Sequence, residues 1–195
     1  MADFEIELNP AEFLTLGTVG PKGRRVFYLQ AASGDVLISL IIEKEQARAL
    51  GDAIEELLQD LDSRYPASGE AAPGGSLDLR EPINPRFRVA QMGLGYDEDR
   101  DMIVLVAQAM TSSDADDAED VEDDEDVDLP GFDFLSGPED GEEGEDGEER
   151  PAGTAVARIW CTRAQIRALG ERATQSVAAG RPDPRQNGRL IYYWT

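Results

Sequence analysis

Apolar residues along this chain change their spacing twice, and both changes have the same form. Between residues 13 and 42 they occur in short, partly alternating runs, which is typical of β-strands. From Lys44 to about Ser63 they recur every three or four residues, which is typical of an amphipathic helix. The same succession occurs between residues 87 and 177. The pattern therefore predicts two units with the order strand, strand, strand, helix.

Turn residues separate the predicted strands of the first unit. Residues 4–8 alternate apolar and acidic side chains and predict a short leading strand. Residues 13–19 and 25–31 flank a turn at residues 20–23, which contains two glycines and a proline, and predict a hairpin. Residues 36–42 are almost wholly apolar, which favours a central strand covered on at least one side.

The helix of the first unit has one apolar stripe. Its members are spaced three or four residues apart: Ala47, Leu50, Ile54, Leu57, Leu58 and Leu61. Most charged side chains of the helix lie off this stripe. Because a three-stranded sheet cannot bury its own apolar face, we expect the helix to pack on the sheet.

The second unit repeats this order with a long interruption. Strands are predicted at residues 87–94, 102–109 and 154–161. A helix follows, and Thr162 and Gln165 have the spacing of a capping box at its start. Its apolar stripe comprises Ile166, Leu169, Ala173 and Val177.

The two units also share sequence at the start of their helices. The motif Gln-x-Arg-Ala-Leu-Gly occurs at residues 46–51 and again at residues 165–170. We therefore predict an α+β fold with two layers. One layer is a mainly antiparallel sheet from two pseudo-repeated βββα units, and the other is two helices packed on one face of it.

A single α+β domain is predicted for residues 1–195. Its parts in chain order are a first unit at residues 1–66, a linker at 67–80, a second unit at 81–180 and a C-terminal tail at 181–195. The second unit is interrupted by an acidic loop at residues 111–150. Loop-closure entropy grows by only about 0.6 kcal/mol per doubling of length, so this insertion need not disturb the fold.

Negative charge is concentrated in that loop. The net charge is -23, and residues 114–149 contain 20 Asp and Glu side chains and neither Lys nor Arg. The rest of the chain has 21 acids against 18 bases. Like charges repel and little apolar surface is available, so the loop is predicted to be disordered. Its charge favours a basic protein partner and disfavours nucleic acid.

Composition excludes several classes of chemistry. The chain has no histidine, which excludes His-based general bases, His-containing zinc sites and the usual Ser-His or Cys-His nucleophiles. Its one cysteine, Cys161, allows no intramolecular disulfide. We predict no catalytic residue, no metal site and no cofactor. Without an apolar run of membrane-spanning length or a signal peptide pattern, a soluble cytoplasmic protein with no membrane partner is expected.

Basic residues cluster in the first hairpin. Lys22, Arg24 and Arg25 lie beside Gly20 and Gly23, and unpaired N–H groups with three cations predict a candidate phosphate site. The alternative is a glycine-rich turn with basic residues at a sheet edge. A phosphate loop normally joins a strand to a helix, whereas this turn joins two strands.

Aromatic residues form two candidate partner-binding sites. Apolar side chains lie among acids at residues 127–135, and Phe132, Phe134 and Leu135 are typical of a docking motif that folds onto a partner. The alternative is a piece of loop that packs on its own domain. The C-terminal side chains Tyr192, Tyr193 and Trp194 are the second candidate.

Several of these segments resemble one known family. They are Phe-Leu-Thr-Leu-Gly-Thr-Val-Gly at 13–20, Arg-Val-Phe-Tyr-Leu-Gln-Ala at 25–31, Glu-Lys-Glu-Gln at 43–46, Phe-Arg-Val-Ala-Gln-Met-Gly-Leu-Gly-Tyr-Asp at 87–97 and Ala-Ala-Gly-Arg-Pro at 178–182. In that order they are similar to an uncharacterised bacterial domain-of-unknown-function family, found mainly in high-GC bacteria. The resemblance implies no established activity.

The C-terminal tail departs from the pattern of that family. Typical members continue with Cys-Pro-x-Cys, Asp-Pro-x-Gly-His-x-Cys-Pro-Arg and Asn-Gly-Tyr-Arg-Arg, which looks like a zinc site. In this chain residues 183–185 and 187–189 match, and every Cys and His ligand is absent. The resemblance therefore carries no zinc site over to this chain.

Three hypotheses for function follow. The first is a non-catalytic protein-interaction module that uses the acidic loop or the aromatic tail. The alternative is a phosphate- or nucleotide-binding protein, either a binding protein or an enzyme, that uses Lys22, Arg24 and Arg25. The third is that the acidic loop only aids solubility.

Overall fold

A computed structural model describes residues 5–65, 74–110, 133–135 and 155–179, the short stretch 133–135 by its backbone. These residues form eight strands and two helices: β1 (Glu5–Leu8), β2 (Phe13–Val19), β3 (Val26–Ser33), β4 (Val36–Ile42), α1 (Lys44–Arg64), β5 (Pro85–Asp97), β6 (Met102–Ala109), β7 (Asp133–Leu135), β8 (Val156–Cys161) and α2 (Arg163–Ala178).

The strands form one sheet in the order β1-β8-β6-β5-β4-β3-β2, with β7 paired to β5 off this path. Neighbours within β2-β3-β4 and within β5-β6-β8 are antiparallel. The strand pairs β1–β8, β4–β5 and β5–β7 are parallel. The predicted α+β fold with a mainly antiparallel sheet and two helices is confirmed.

Both groups of three strands have the same connections. Within each group, the strands lie side by side in the sheet in the order in which the chain forms them. The third strand leads directly into a helix, β4 into α1 and β8 into α2. Two residues join β3 to β4, whereas the acidic loop lies between β6 and β8. Residues 111–132 and 136–150 of that loop, for which disorder is predicted, lie outside the described residues.

The core lies between one face of the sheet and the two helices. The predicted stripes of both helices are buried, and they belong to one apolar cluster with the strands. Cross-strand rows supply the sheet side of this cluster. One row is Leu16, Leu29 and Leu40, and the corresponding row of the second group is Leu94, Leu105 and Ile159.

The helices approach each other where the repeated Leu-Gly occurs. A Cβ built on Gly170 would lie 2.9 Å from Cγ2 of Ile54, and one built on Gly51 would lie 3.3 Å from Oγ1 of Thr174. These glycines therefore allow α1 and α2 a contact that a larger residue obstructs.

The sheet is rolled, which brings its two edge strands together. β1 and β2 lie at opposite ends of the strand order, yet only residues 9–12 join them. Seven flat strands span about 29 Å, whereas this connection reaches about 18 Å at most. Within it, Ala11 N donates to Trp160 O (2.7 Å) on β8 and Glu12 N donates to Ala32 O (2.8 Å) on β3.

Residues 74–84 form a strap that contacts β2 and β3 on the face of Gly17 and Gln30, and its Asp78 pairs with Arg172 of α2. Gln30 Nε2 donates to Arg80 O (2.8 Å), and Arg80 N donates back to Gln30 Oε1 (2.7 Å). A Cβ on Gly17 would lie 2.8 Å from Leu79 Cγ. Residues 74–80, within the predicted linker, are therefore packed against β2 and β3.

Two further observations concern the predicted elements. β7 was not predicted, because three residues among acids give no measurable alternation. None of the helices within the described residues is long and apolar enough to cross a membrane.

Candidate functional site

The predicted ligand residues lie in the turn between β2 and β3. The turn is closed by Arg24 N, which donates to Pro21 O (3.0 Å). Lys22 and Arg24 are exposed, and Arg25 is half-buried. Gly20 has φ 111, and a Cβ there would lie 2.6 Å from Arg24 O, so this position requires glycine.

A cleft of about 370 Å³ opens beside this turn, and we name it the cationic cleft. It is lined by Gly23, Arg25, Val26, Phe27, Ile41, Ile42, Glu43, Lys44 and Arg88. Of the predicted trio, Arg25 is the member that lines it. The structure thus separates Arg25 from Lys22 and Arg24 and brings Lys44 and Arg88 to it.

Local structure explains this grouping. Arg25 ends the turn before β3, Lys44 is the first residue of α1, and Arg88 lies on β5 beside Ile41 of β4. The buried side chains of Phe27 and Ile42 give the cleft an apolar wall. Charged groups and apolar surface therefore line one concave site, which is the usual character of a small-molecule pocket.

The charges of the cationic cleft are unequal. Glu43 Oε1 contacts the guanidinium of Arg88, and both side chains are about half exposed, so the pair adds little stability. Within the described part of the chain, no carboxylate forms an ion pair with Arg25 or Lys44. The lining therefore carries two positive charges that no described acid neutralises.

A second charged cluster surrounds Arg163, which is 6% exposed. Its Nε donates to Asp101 Oδ1 (2.8 Å), one Nη to Tyr65 O (2.7 Å) and the other to the Tyr96 hydroxyl (2.7 Å). The Tyr96 hydroxyl donates to Asp101 Oδ1 (2.8 Å), and the Tyr65 hydroxyl donates to Glu98 Oε1 (2.6 Å). We name these five residues the arginine cluster.

Proton affinities in the arginine cluster favour a structural role. Burial, followed by the hydrogen bond to Asp101, raises the pKa of Tyr96. The hydrogen bond to Glu98 is the main cause that raises the pKa of Tyr65. Burial acts to lower the pKa of Arg163, but its hydrogen bonds with Tyr96 and Asp101 raise the pKa overall. At neutral pH both phenols are therefore neutral and the guanidinium is charged. Through its hydrogen bonds Arg163 connects the end of α1, the β5–β6 turn and the start of α2.

Sequence reasoning missed the arginine cluster. Arg163 directly follows the predicted capping residue and lies off the apolar stripe, so the helical pattern assigns it to the surface. Its partners come from three other elements, and no motif or fixed spacing connects them.

The helices enclose a second cleft of about 490 Å³. Its floor includes Ile54 and Leu58, and Arg167 at its rim donates to Asp62 Oδ2 (3.1 Å). Arg167 is therefore the partner of a nearby acid on the other helix.

The edge of β5 holds the described part of the candidate docking motif. Its first residues pair with β4, and further along the same strand Gly93, Leu94 and Gly95 pair in parallel with the three residues of β7. Two predicted partner-binding residues, Phe134 and Leu135, lie in β7. The other four, Phe132, Tyr192, Tyr193 and Trp194, lie outside the described residues.

Metal ligands do not come together in the part of the chain that the structure describes, where no three His, Cys, Asp or Glu side chains form a group suited to a metal ion.

Comparison with known proteins identifies the family of the chain. It belongs to the family described as "Protein of unknown function (DUF3090)", whose model matches residues 6–188. This confirms the resemblance to an uncharacterised family that the sequence motifs predict. No curated protein and no solved structure matches the chain.

Proposed function

We propose that the protein is a non-catalytic interaction module that engages another protein through its acidic loop at the edge of β5. The observation that carries the proposal is the backbone pairing of Asp133–Leu135, which lies inside the loop, with residues 93–95 of the sheet. The fold thereby holds residues 133–135 of the loop on a strand of the sheet.

Strand geometry supports addition of a strand at this edge. A strand at the edge of a sheet offers unpaired N–H and C=O groups, to which an extended peptide of another protein can add. β7 has three residues, so it contributes few backbone hydrogen bonds, and an added strand can extend it. We infer that the partner adds its strand beside β7 at this edge.

Charge supports the kind of partner. Of the 20 acids at residues 114–149, 11 precede β7 in the sequence, Asp133 lies in it and 8 follow it. They attract a basic surface over about a Debye length, roughly 8 Å at physiological salt. The partner expected is therefore a protein with a basic surface next to an extended apolar segment.

The test is affinity capture with three proteins: the wild type, a variant with residues 111–150 replaced by a short turn, and a variant with Tyr192, Tyr193 and Trp194 changed to Ala. A partner retained by the wild type and the tail variant, and lost with the loop, is the result expected. Its retention should fall as salt rises, because part of the attraction is electrostatic. If the loop variant retains the same proteins as the wild type, the loop is not the binding surface. Loss in the tail variant alone moves the function to the C-terminal aromatic residues.

A second candidate function is binding of a phosphate- or nucleotide-bearing ligand near the first hairpin. The observation that favours it is the half-buried Arg25, which lines the cationic cleft. Titration with inorganic phosphate tests it at the level of the hairpin. A variant with Lys22, Arg24 and Arg25 all changed to Gln is expected to lose the binding that the wild type has, and unchanged binding would remove this candidate.

A further inference from the structure

The two groups of strands place a charged residue at the same two positions. Arg25 directly precedes β3, and Asp101 directly precedes β6, which is the second strand of the other group. Lys44 is the first residue of α1, and Arg163 is the first residue of α2. The turn and the helix start therefore carry Arg and Lys in the first group, and Asp and Arg in the second.

In the second group the two positions form an ion pair. Arg163 Nε lies 2.8 Å from Asp101 Oδ1, and the rings of Tyr65 and Tyr96 lie beside it, with centroids 6.0 Å apart. A carboxylate of the turn thus stands beside the first residue of the helix, and the Tyr96 ring lies next to the same guanidinium, whose carbon is 5.3 Å from the ring centroid.

In the first group the corresponding space is open and lacks the carboxylate. It is the cationic cleft of about 370 Å³, and both Arg25 and Lys44 line it. Its one acid, Glu43, contacts Arg88. Two cations thus stand where the other group has a cation and an anion. An anion from outside the chain would complete the arrangement.

We propose that the cationic cleft binds a phosphate monoester that carries an apolar or aromatic group, with the phosphate between Arg25 and Lys44. This inference deepens the second candidate function and is independent of the interaction module. It assigns Lys44 and Arg88 to the site and leaves Lys22 and Arg24 outside it.

Charge selects a phosphate monoester over a simple carboxylate. Three cations and one carboxylate line the cleft, which gives it two net positive charges. A phosphate monoester carries a charge of about -1.5 to -2 at pH 7, whereas a carboxylate carries about -1. Guanidinium groups also bind phosphate oxygens in a fork, with charge-assisted hydrogen bonds.

The wall of the cleft selects the rest of the ligand. Phe27 and Ile42 are buried, and Val26 is 38% exposed although it is apolar. An apolar group on the ligand would cover Val26 and remove its surface from water. The volume is within the range of about 300–1,000 Å³ of small-molecule sites, so a ring and a phosphate fit together.

The first experiment is a titration with phenyl phosphate by isothermal calorimetry at about 0.15 M salt. Wild-type protein is compared with Arg25→Gln and with the control Arg24→Gln, which makes the same charge change outside the cleft. We expect Arg25→Gln to weaken binding by about tenfold or more and Arg24→Gln by less than about twofold. Equal losses in both variants would place the phosphate on the exposed turn and overturn the cleft. No binding of phenyl phosphate to the wild type would overturn this proposal, and the inorganic phosphate titration then decides the second candidate function separately.

The second experiment fills the site with a carboxylate. Arg25→Asp places an acid opposite Lys44, as Asp101 stands opposite Arg163. We expect it to abolish phenyl phosphate binding and to raise the thermal unfolding midpoint above that of the control Arg24→Asp. A general charge effect cannot produce this difference in midpoint, because both variants add the same negative charge to a chain with net charge -23. Binding retained by Arg25→Asp, or a midpoint below that of the control, contradicts the proposal.

A comparison of ligands tests the apolar part. Phenyl phosphate should bind the wild type at least about fivefold more tightly than inorganic phosphate, because the ring covers Val26. Equal affinities would show that the site takes phosphate alone and overturn the assigned ligand class.

Discussion

Arg163 is a buried residue that joins three parts of the fold, although the helical pattern of the sequence assigns it to the surface. Its side chain makes three hydrogen bonds to residues from the end of α1 and from β5 and the turn that follows it. The buried guanidinium is neutralised by Asp101, which is itself about half exposed. A cluster in which every partner is satisfied rigidifies the elements that it joins.

We therefore expect Arg163→Met to lower the free energy of unfolding by about 2–3 kcal/mol, because three hydrogen bonds to a charged group are lost. Urea denaturation measures the change. The control is Arg167→Met, one turn further along α2, which removes a half-exposed ion pair with Asp62 and should cost less than about 1 kcal/mol. Equal losses in the two variants would contradict the role given to the arginine cluster.

Stability should fall at high pH because of Tyr96. Burial raises its pKa above the usual 10.0, so the unfolded chain loses this proton first as pH rises. The stabilisation is complete below pH 10 and is lost as pH passes through the raised pKa of the folded state. Unfolding free energies measured from pH 8 to 11 should decline above about pH 10 in the wild type, and less steeply in Tyr96→Phe. The same slope in both would show that Tyr96 is not the group that titrates.

Residue-scale features were the hardest to predict from the sequence. The hairpin pattern placed Lys22, Arg24 and Arg25 together as a candidate site, and the fold gives only Arg25 to the cationic cleft. Lys44 and Arg88 reach it from two other elements, 44 residues apart in the chain. Such a grouping depends on the parallel pairing of β4 with β5, which the spacing of residues within one segment does not predict.

At the scale of elements, the contact between the helices depends on Gly170. Ala has a helix propensity about 1 kcal/mol better than Gly, but a Cβ here would meet Ile54 at 2.9 Å. We expect Gly170→Ala to destabilise the protein by about 1–2 kcal/mol, because the clash outweighs the propensity. Thermal or urea denaturation measures this.

A double-mutant cycle gives the control for Gly170. Ile54→Ala removes Cγ2, the atom that the new Cβ would meet at 2.9 Å, and leaves Cβ at 3.4 Å, which is a tolerable contact. The loss in the double variant should therefore be smaller than the sum of the two single losses, by about 1 kcal/mol. Additive losses would show that the close approach of the helices is not what Gly170 provides.

The strap depends on Gln30, a buried polar residue of β3. Its amide donates to Ser39 Oγ (3.0 Å) and Arg80 O and accepts from Arg80 N. Gln30→Ala should cost about 2–3 kcal/mol, because it leaves these groups without their partner. Hydrogen exchange should accelerate at the amide of Arg80 far more than in β6. Unchanged exchange there would contradict the packing of the strap on the sheet.

Most elements follow from local pattern, and the exceptions have a common cause. The strands of both groups and the two buried helix stripes are predicted, because apolar spacing reports which face is covered. The strap was read as a linker because its contacts are distant in sequence: Gln30 and Arg80 are 50 residues apart. In β3, Gln30 belongs to the face that alternation would leave to solvent, and the strap covers it.

The whole molecule combines a rolled sheet of ordinary charge with one strongly acidic loop. The family match spans both, from residue 6 to residue 188. The second group has the same strand order as the first, although 20 residues join β7 to β8 and two residues join β3 to β4. A long loop can replace a short one in this way because the added entropic cost of closing it is small. At this scale the sequence predicts a division between fold and loop, since charge and apolar spacing change together.

The two proposals also belong to this scale. One places a protein partner at the edge of β5, and the other places a phosphate monoester at the start of α1. They use different residues, so a variant of one site should leave the other unchanged. Arg25→Gln is expected to retain the protein partner at the wild-type level, and an equal loss of partner would show that the two functions share one surface.

Retention of the captured partner by two proline variants of the loop tests the central claim most directly. Phe134→Pro removes a backbone N–H within β7 and disfavours its pairing with β5, whereas the control Glu143→Pro changes the same loop outside β7. If the loop binds as a strand at the sheet edge, Phe134→Pro should lower partner retention at least about fivefold, and Glu143→Pro should change it less than about twofold. Equal retention by both variants and the wild type would contradict an interaction module that works through this edge.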